Sequence, residues 1–148
     1  IVDGRGLAAA LAFGAQGAWM GTRVIASREA HAGRAYQEAI VRASGSDTAV
    51  TRCFSGKPMR VIRNAYVEGW ERRPTEIRKF PEQMAISARE DVLTALRGPD
   101  SEVDATRDCM PCGQGAGAIS ELLSCREIIE RTLREAEAVI GRLGALRA

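Results

Sequence analysis

Three sets of residues in this sequence have types and spacings that could do chemistry. The first is glycine-rich: Asp3-Gly4-Arg5-Gly6, then Gly17-Ala18-Trp19-Met20-Gly21-Thr22-Arg23. A glycine turn at the end of an apolar run lets the backbone approach an anion and aims N–H groups at it, so Gly21 and Thr22 are candidates to hold a phosphate. Taken alone, Gly4, Gly6 and Gly21 would more often only make tight turns. The second set is Cys109-Met110-Pro111-Cys112, the spacing of a redox pair or of half a tetrahedral zinc site. No second pair accompanies it, Cys53 and Cys125 stand apart, and plain thiols with no metal are expected. The third is His31, the only histidine, able to carry a proton near neutral pH. It is expected one turn into a helix, solvated or locally hydrogen-bonded rather than catalytic.

The elements that would position these residues follow from hydrophobic periodicity. Ile1-Val2 reads as the tail of a strand whose beginning is absent, and without an initiator methionine the sequence is expected to be a piece of a longer protein. Leu7, Ala8, Leu11 and Ala12 share one face, which predicts a helix over Arg5 to Phe13 stopped at Gly14. The run from Gly17 to Met20 predicts a short buried parallel strand, with Trp19 packed inside the barrel. Helix followed by strand is the rhythm of an α/β barrel, and the two strand ends would lie side by side.

Ser27 is expected to cap the next helix, with Glu29 in its first turn and Ala32, Ala35, Tyr36, Ala39, Ile40 and Ala43 as its apolar stripe. Thr48 to Phe54 reads as extended and Ser55-Gly56-Lys57-Pro58 as a turn, while Ile62, Tyr66 and Trp70 recur every four residues and predict a helix over Met59 to Glu71. Pro81 opens a further helix with Met84, Ala85, Ala88, Val92 and Leu96 on one face, ending at Gly98-Pro99. A charged loop over Asp100 to Asp108 follows. Ser124 and Glu127 form a capping-box pattern ahead of a stripe of Ile129, Leu133, Ala136, Ile140 and Leu143, with Glu127–Arg131 and Glu130–Arg134 pairs on the outer side.

The whole chain of 148 residues carries a formal net charge of +2 with the two signs interspersed, which argues against nucleic acid as a main partner. No apolar run reaches the length of a membrane span, and four cysteines are too few for a disulfide-built scaffold. A cytoplasmic protein with reduced thiols is expected.

The wording of two stretches goes further. Asp3-Gly4-Arg5-Gly6-Leu7, followed by Gly14-Ala15-Gln16-Gly17-Ala18-Trp19-Met20-Gly21-Thr22-Arg23, closely resembles the end of the barrel in the nitronate monooxygenase family, formerly 2-nitropropane dioxygenases. Cys112-Gly113-Gln114-Gly115-Ala116-Gly117-Ala118-Ile119 is similar to that family's C-terminal segment that folds back toward the flavin. Gly56-Lys57-Pro58-Met59-Arg60 through Arg63-Asn64 matches a third family region, in which Arg60 and Asn64 would order the C-terminal subdomain.

The resemblance implies an α/β chain, helix-dominated in this piece: the C-terminal part of an FMN-binding TIM (β/α)8 barrel. Residues 1–45 would end the barrel and carry the phosphate loop, and 46–148 would form a helical subdomain returning to it. FMN is the implied cofactor, its phosphate held by Met20, Gly21 and Thr22, with Gly4 close by and Gln114 contributing from the second motif. The implied reaction is oxidation of an alkyl nitronate by dioxygen to a carbonyl compound and nitrite, with the catalytic base on an upstream segment. FMN-dependent enoyl-acyl-carrier-protein reductases share the same barrel ending and remain an alternative. A non-catalytic helical module that binds a partner chain is the other.

Overall fold

Asp3 starts the first helix by accepting the Gly6 N–H at 2.9 Å, satisfying one of the donors a helix leaves open at its beginning. In the computed structural model, which describes residues 1–95 and 97–146, this helix, α1, runs Gly4–Ala12. The others are α2 (Thr22–Ile25), α3 (Arg34–Arg42), α4 (Ala65–Glu71), α5 (Glu82–Arg89) and α6 (Cys125–Gly144), with strands β1 (Thr48–Thr51) and β2 (Met59–Ile62) between α3 and α4. The chain is mixed α/β and helix-dominated. No helix among the described residues is long and apolar enough to cross a membrane.

The two ends of the chain meet. Ser124 and Glu127 close the expected capping box at the start of α6, and Glu29 adds a second cap by accepting the Cys125 N–H at 3.0 Å. α6 then lies against α1 at Gly4, where a Cβ would stand 2.4 Å from Glu135 Cβ and 2.4 Å from the Thr132 carbonyl oxygen. Only glycine permits that approach. The freed Gly4 N–H donates to Glu135 Oε2 at 3.0 Å.

β1 and β2 form an antiparallel pair, with Thr48 opposite Ile62 and Thr51 opposite Met59. The 110–112 segment lies along the outer edge of β2, since the Ile62 N–H donates to Met110 O at 2.9 Å and the Cys112 N–H to Arg60 O at 3.0 Å. One core cluster gathers Tyr36, Ile40, Ile62, Met110 and Ala116, and a second gathers Phe54, Val61, Val67, Trp70 and Cys109.

Several sequence expectations are corrected. Gly17 to Met20 forms no strand, and Trp19 is 93% exposed rather than packed. A parallel strand exists only through ladder bonds to neighbours, and among the described residues no strand lies beside it. The helix expected to begin at Ser27 starts at Arg34: Ser27 instead bridges to Leu123, and Glu29 is used to cap α6. Met59 to Ile62 is strand, not helix, because Val61 and Ile62 are held in the ladder and Asn64 restarts the chain as the cap of α4, accepting the Val67 N–H at 3.1 Å.

α5 ends at Arg89, well before Gly98, and Asp91 follows with φ of 53°. Its buried face carries Gln83 and Ser87, whose side chains both donate to Cys53 O, while Met84 is 44% exposed. Leu96 lies outside the described residues. On α6 the buried residues are Ile128, Thr132 and Ala136; of the expected stripe, Ile129, Leu133, Ile140 and Leu143 are exposed. Arg134 pairs with Glu130 as expected, but Arg131 takes Glu121 at 2.8 Å instead of Glu127, which pairs with Arg28 at 3.0 Å.

Gly4→Ala is expected to lower unfolding free energy by about 1–3 kcal/mol, since the extra methyl meets backbone that cannot yield without separating the helices. Urea denaturation followed by circular dichroism measures it, and unchanged stability would refute the close-approach account.

Candidate functional site

Met20, Gly21 and Thr22 lie where the chain leaves its irregular run and enters α2. Gly21 is exposed, and a Cβ there would meet nothing within 4 Å. Thr22 N–H and Arg23 N–H open the first turn of α2, and among the described residues neither they nor the Gly21 N–H make a hydrogen bond. Three adjacent backbone donors thus stand unengaged at a helix start, the donor set a phosphate group requires. The residues present therefore fit the phosphate end of a nucleotide-type cofactor.

Thr22 ties this corner to the second motif. Its Oγ1 accepts the Gly113 N–H at 3.0 Å, across 91 residues of sequence. The next residues, Gln114–Ala118, make a 3-10 turn, with Ala116 buried and Gln114 exposed. Gly115 lies against Val2, where a Cβ would come within 2.7 Å of Val2 Cγ1, and Gly117 lies against Gly45, where a Cβ would come within 2.8 Å of the backbone nitrogen. The start of the chain, the 20–22 corner and the glycine turn therefore converge. Gly4 is placed differently: it is buried under α6 and its N–H is taken by Glu135.

Arg60 and Asn64 each make a hydrogen bond to a residue elsewhere in the chain. Arg60 Nη1 donates to Thr48 Oγ1 at 3.0 Å across the hairpin, and Asn64 Nδ2 donates to Asp108 O at 3.0 Å. Asp108 is itself buried and accepts from the Thr94 hydroxyl and from the Asp104 N–H. Sequence reasoning missed Arg23, which is 6% exposed, and Glu135, whose partner is 131 residues away. Position after the Gly-Thr pair was the only available signal for Arg23; none existed for Glu135.

His31 is exposed and packs against Gly98, lining a separate hollow with Asp91 and Arg97. All four cysteines are free. Cys109 and Cys112 enter different core clusters, and no group of three or more metal-ligating side chains occurs among the described residues. Burial pushes the Cys109 thiol up to about 12, with Cys53 and Asp108 adding to the shift, and pushes Cys53 and Cys112 up to about 11.

A family model described as "Nitronate monooxygenase" matches residues 1–135. The chain belongs to the nitronate monooxygenase family. A probable nitronate monooxygenase of Staphylococcus saprophyticus is 30% identical over 142 residues, covering 96% of this chain and 38% of the relative. One from Staphylococcus aureus is 35% identical over 88 residues, covering 60% of this chain and 25% of the relative. Among solved structures, FabK from Thermotoga maritima matches 99% of this chain and 45% of its own length, with a TM-score of 0.78 and 35% identity. Nitroalkane oxidase from Streptomyces ansochromogenes matches 97% of this chain and 39% of its own, with a TM-score of 0.79 and 25% identity. The chain thus spans less than half the length of these relatives, and it is an oxidoreductase-family sequence.

Thr22→Val removes the acceptor of the Gly113 N–H and is expected to cost about 1 kcal/mol. Amide exchange at Gly113 should accelerate severalfold while α4 and β2 keep their protection; unchanged exchange at Gly113 would show that the bond is not made. Thiol labelling at pH 8 should modify Cys125 alone in the native protein, because the other three thiols are buried and held protonated. Rapid labelling of Cys109 or Cys53 without denaturant would contradict that packing.

Proposed function

We propose that this chain is the FMN-phosphate-binding end and helical C-terminal part of a (β/α)8 nitronate monooxygenase, acting on a small alkyl nitronate and dioxygen in the cytoplasm. The observation that carries this reading is the set of unengaged Gly21, Thr22 and Arg23 N–H groups, held against the glycine turn by the Thr22–Gly113 bond. The family membership supports the reaction class. The apolar sides of α1 and α6 also support it: Leu11, Ile129, Leu133, Ile140 and Leu143 are exposed, as expected for barrel helices that turn one face toward strands.

In this reading FMN supplies the electron transfer between substrate and dioxygen. Gly21 and Thr22 receive the phosphate through backbone N–H groups, with Met20 beside them. This fixes the tail of the cofactor, and hence the distance of its ring from the substrate. Gln114, exposed at the start of the glycine turn, offers an amide donor on the side that Thr22 anchors. Gly4 acts indirectly, by seating α1 on α6 so that Val2 meets Gly115. No side chain of this chain is assigned as the base, and His31 lines another hollow.

The second reading is reduction of an enoyl-acyl-carrier-protein by the same flavin, favoured by the 35% identity to FabK. Both readings share the phosphate corner. The test is a chimera in which this chain replaces the matching C-terminal part of the Staphylococcus saprophyticus relative. Purified chimera should carry FMN, and Gly21→Asp, which sets a carboxylate against the phosphate, should weaken FMN binding at least tenfold by fluorescence titration. A chimera that folds yet holds no FMN would sink the assignment. Dioxygen consumption with propionate-3-nitronate, against NAD(P)H oxidation with an enoyl thioester, then separates the two reactions.

A further inference from the structure

A polar hollow outside that corner lies between Arg23, the Ser120–Glu121 segment and one side of α6, with a volume of about 420 Å³. Arg23 forms its inner wall. Only 6% of the residue is exposed, yet its guanidinium has no carboxylate hydrogen-bonded to it. Nη2 donates to two neutral acceptors, Ala26 O at 2.5 Å and Glu121 O at 2.8 Å. Nε is buried with no partner, and among the described residues Nη1 makes no hydrogen bond. A guanidinium carries five donors, so most of them are unspent here.

The surroundings leave that charge only partly compensated. Burial lowers the Arg23 pKa, the Glu121 carboxylate raises it and the nearby Arg131 lowers it; the group remains protonated at any ordinary pH. Glu121, the carboxylate that acts on Arg23, already pairs through Oε1 with Arg131 Nη1 at 2.8 Å, while Glu135 and Glu127 also act on Arg131. Of the other acids around the hollow, Asp3 pairs with Arg5 at 2.7 Å, and Glu135 accepts the Gly4 N–H at 3.0 Å and acts on Arg131 rather than on Arg23. Ser120 is exposed at the same wall, and its hydroxyl makes no hydrogen bond among the described residues. A buried cation short of a counter-charge is costly, and a forked guanidinium matches an oxyanion in geometry as well as in sign.

We infer that this hollow is a binding site for a compact oxyanion, the carboxylate or phosphate of a small molecule, held between Arg23 and Arg131 with the Ser120 hydroxyl as a further donor. It adjoins the FMN-phosphate corner through Arg23, which would give its backbone N–H to the corner and its guanidinium to the hollow, but neither Gly21 nor Thr22 lines the hollow and the Thr22 side chain is turned to Gly113. An anion there would join the chain after α2 to the start of α6, the two segments whose carbonyls Arg23 already holds.

The test follows the side-chain Nε–H signal of Arg23 by NMR in the 15N-labelled chain. Inorganic phosphate and acetate are titrated separately against chloride at constant ionic strength, with and without excess FMN. A saturable shift of that signal, unaffected by FMN, is expected. A response to phosphate alone points to phosphate esters as the natural ligands, and a response to acetate alone to carboxylic acids. Arg131→Gln frees Glu121 to neutralise Arg23, and Ser120→Asp places a carboxylate in the hollow; each should weaken binding at least tenfold. Both positions are exposed, so both variants should keep the fold, whereas Arg23 itself is too buried to replace safely. Absence of a saturable shift with either anion, loss of the shift on adding FMN, or undiminished affinity in either variant would overturn the site.

Discussion

The approach of α1 to α6 at Gly4 is the constraint on which the rest of this structure depends. Backbone meets backbone there, and the N–H that a side chain would have shielded goes to Glu135 instead. This contact joins two helices far apart in the sequence, and the segments between them must fit around it. Val2 is brought onto Gly115, and the irregular chain up to Met20 is carried back toward Ile129 and Leu133. Small residues recur at the closure points because only they let main chains touch.

The middle of the chain is held by polar groups buried in pairs rather than by apolar volume alone. Gln83 donates to Cys53 O at 2.6 Å and accepts the Arg78 N–H at 2.9 Å, so its buried amide is used at both ends. Asn64 caps α4 and reaches Asp108 O, and Asp108 in turn holds Thr94 and the Asp104 N–H. Each such group would be costly if left unpaired, so satisfying them fixes the relative positions of α4, α5 and the 104–112 segment. Stacking of Phe54 on Tyr66, with ring centroids 5.1 Å apart, fills the space beside them.

At the other end the proposed function would use backbone donors alone, at the corner of Gly21, Thr22 and Arg23, to hold a phosphate, so that no titratable side chain is needed there. The helices around it present apolar faces outward, the pattern of elements made to stand against a sheet. Beside that corner stands the Arg23 wall, where charge is gathered but only partly cancelled.

Much of the outline was legible before any coordinates. Helical spacing located α1 and most of α3, the capping box located the start of α6, and the wording around Gly21 and Gln114 pointed to residues that the fold joins through Thr22 and Gly113. These are local signals: caps, periodicity and turn chemistry act within a few residues. What failed was whatever depended on a distant partner. Gly17 to Met20 carries strand composition but finds no neighbour to pair with; Ile62 fits a helical period but is claimed by the ladder with β1; α6 buries Ile128 and Thr132 rather than its most apolar stripe, because α1 approaches from that side. Sequence by itself determined which segments could be helix or turn, since those follow from backbone preferences of nearby residues. Only the tertiary structure decided which faces were buried, which acid held Gly4 and which guanidinium was left short of a counter-ion, since each of these is settled by contacts between residues about a hundred positions apart.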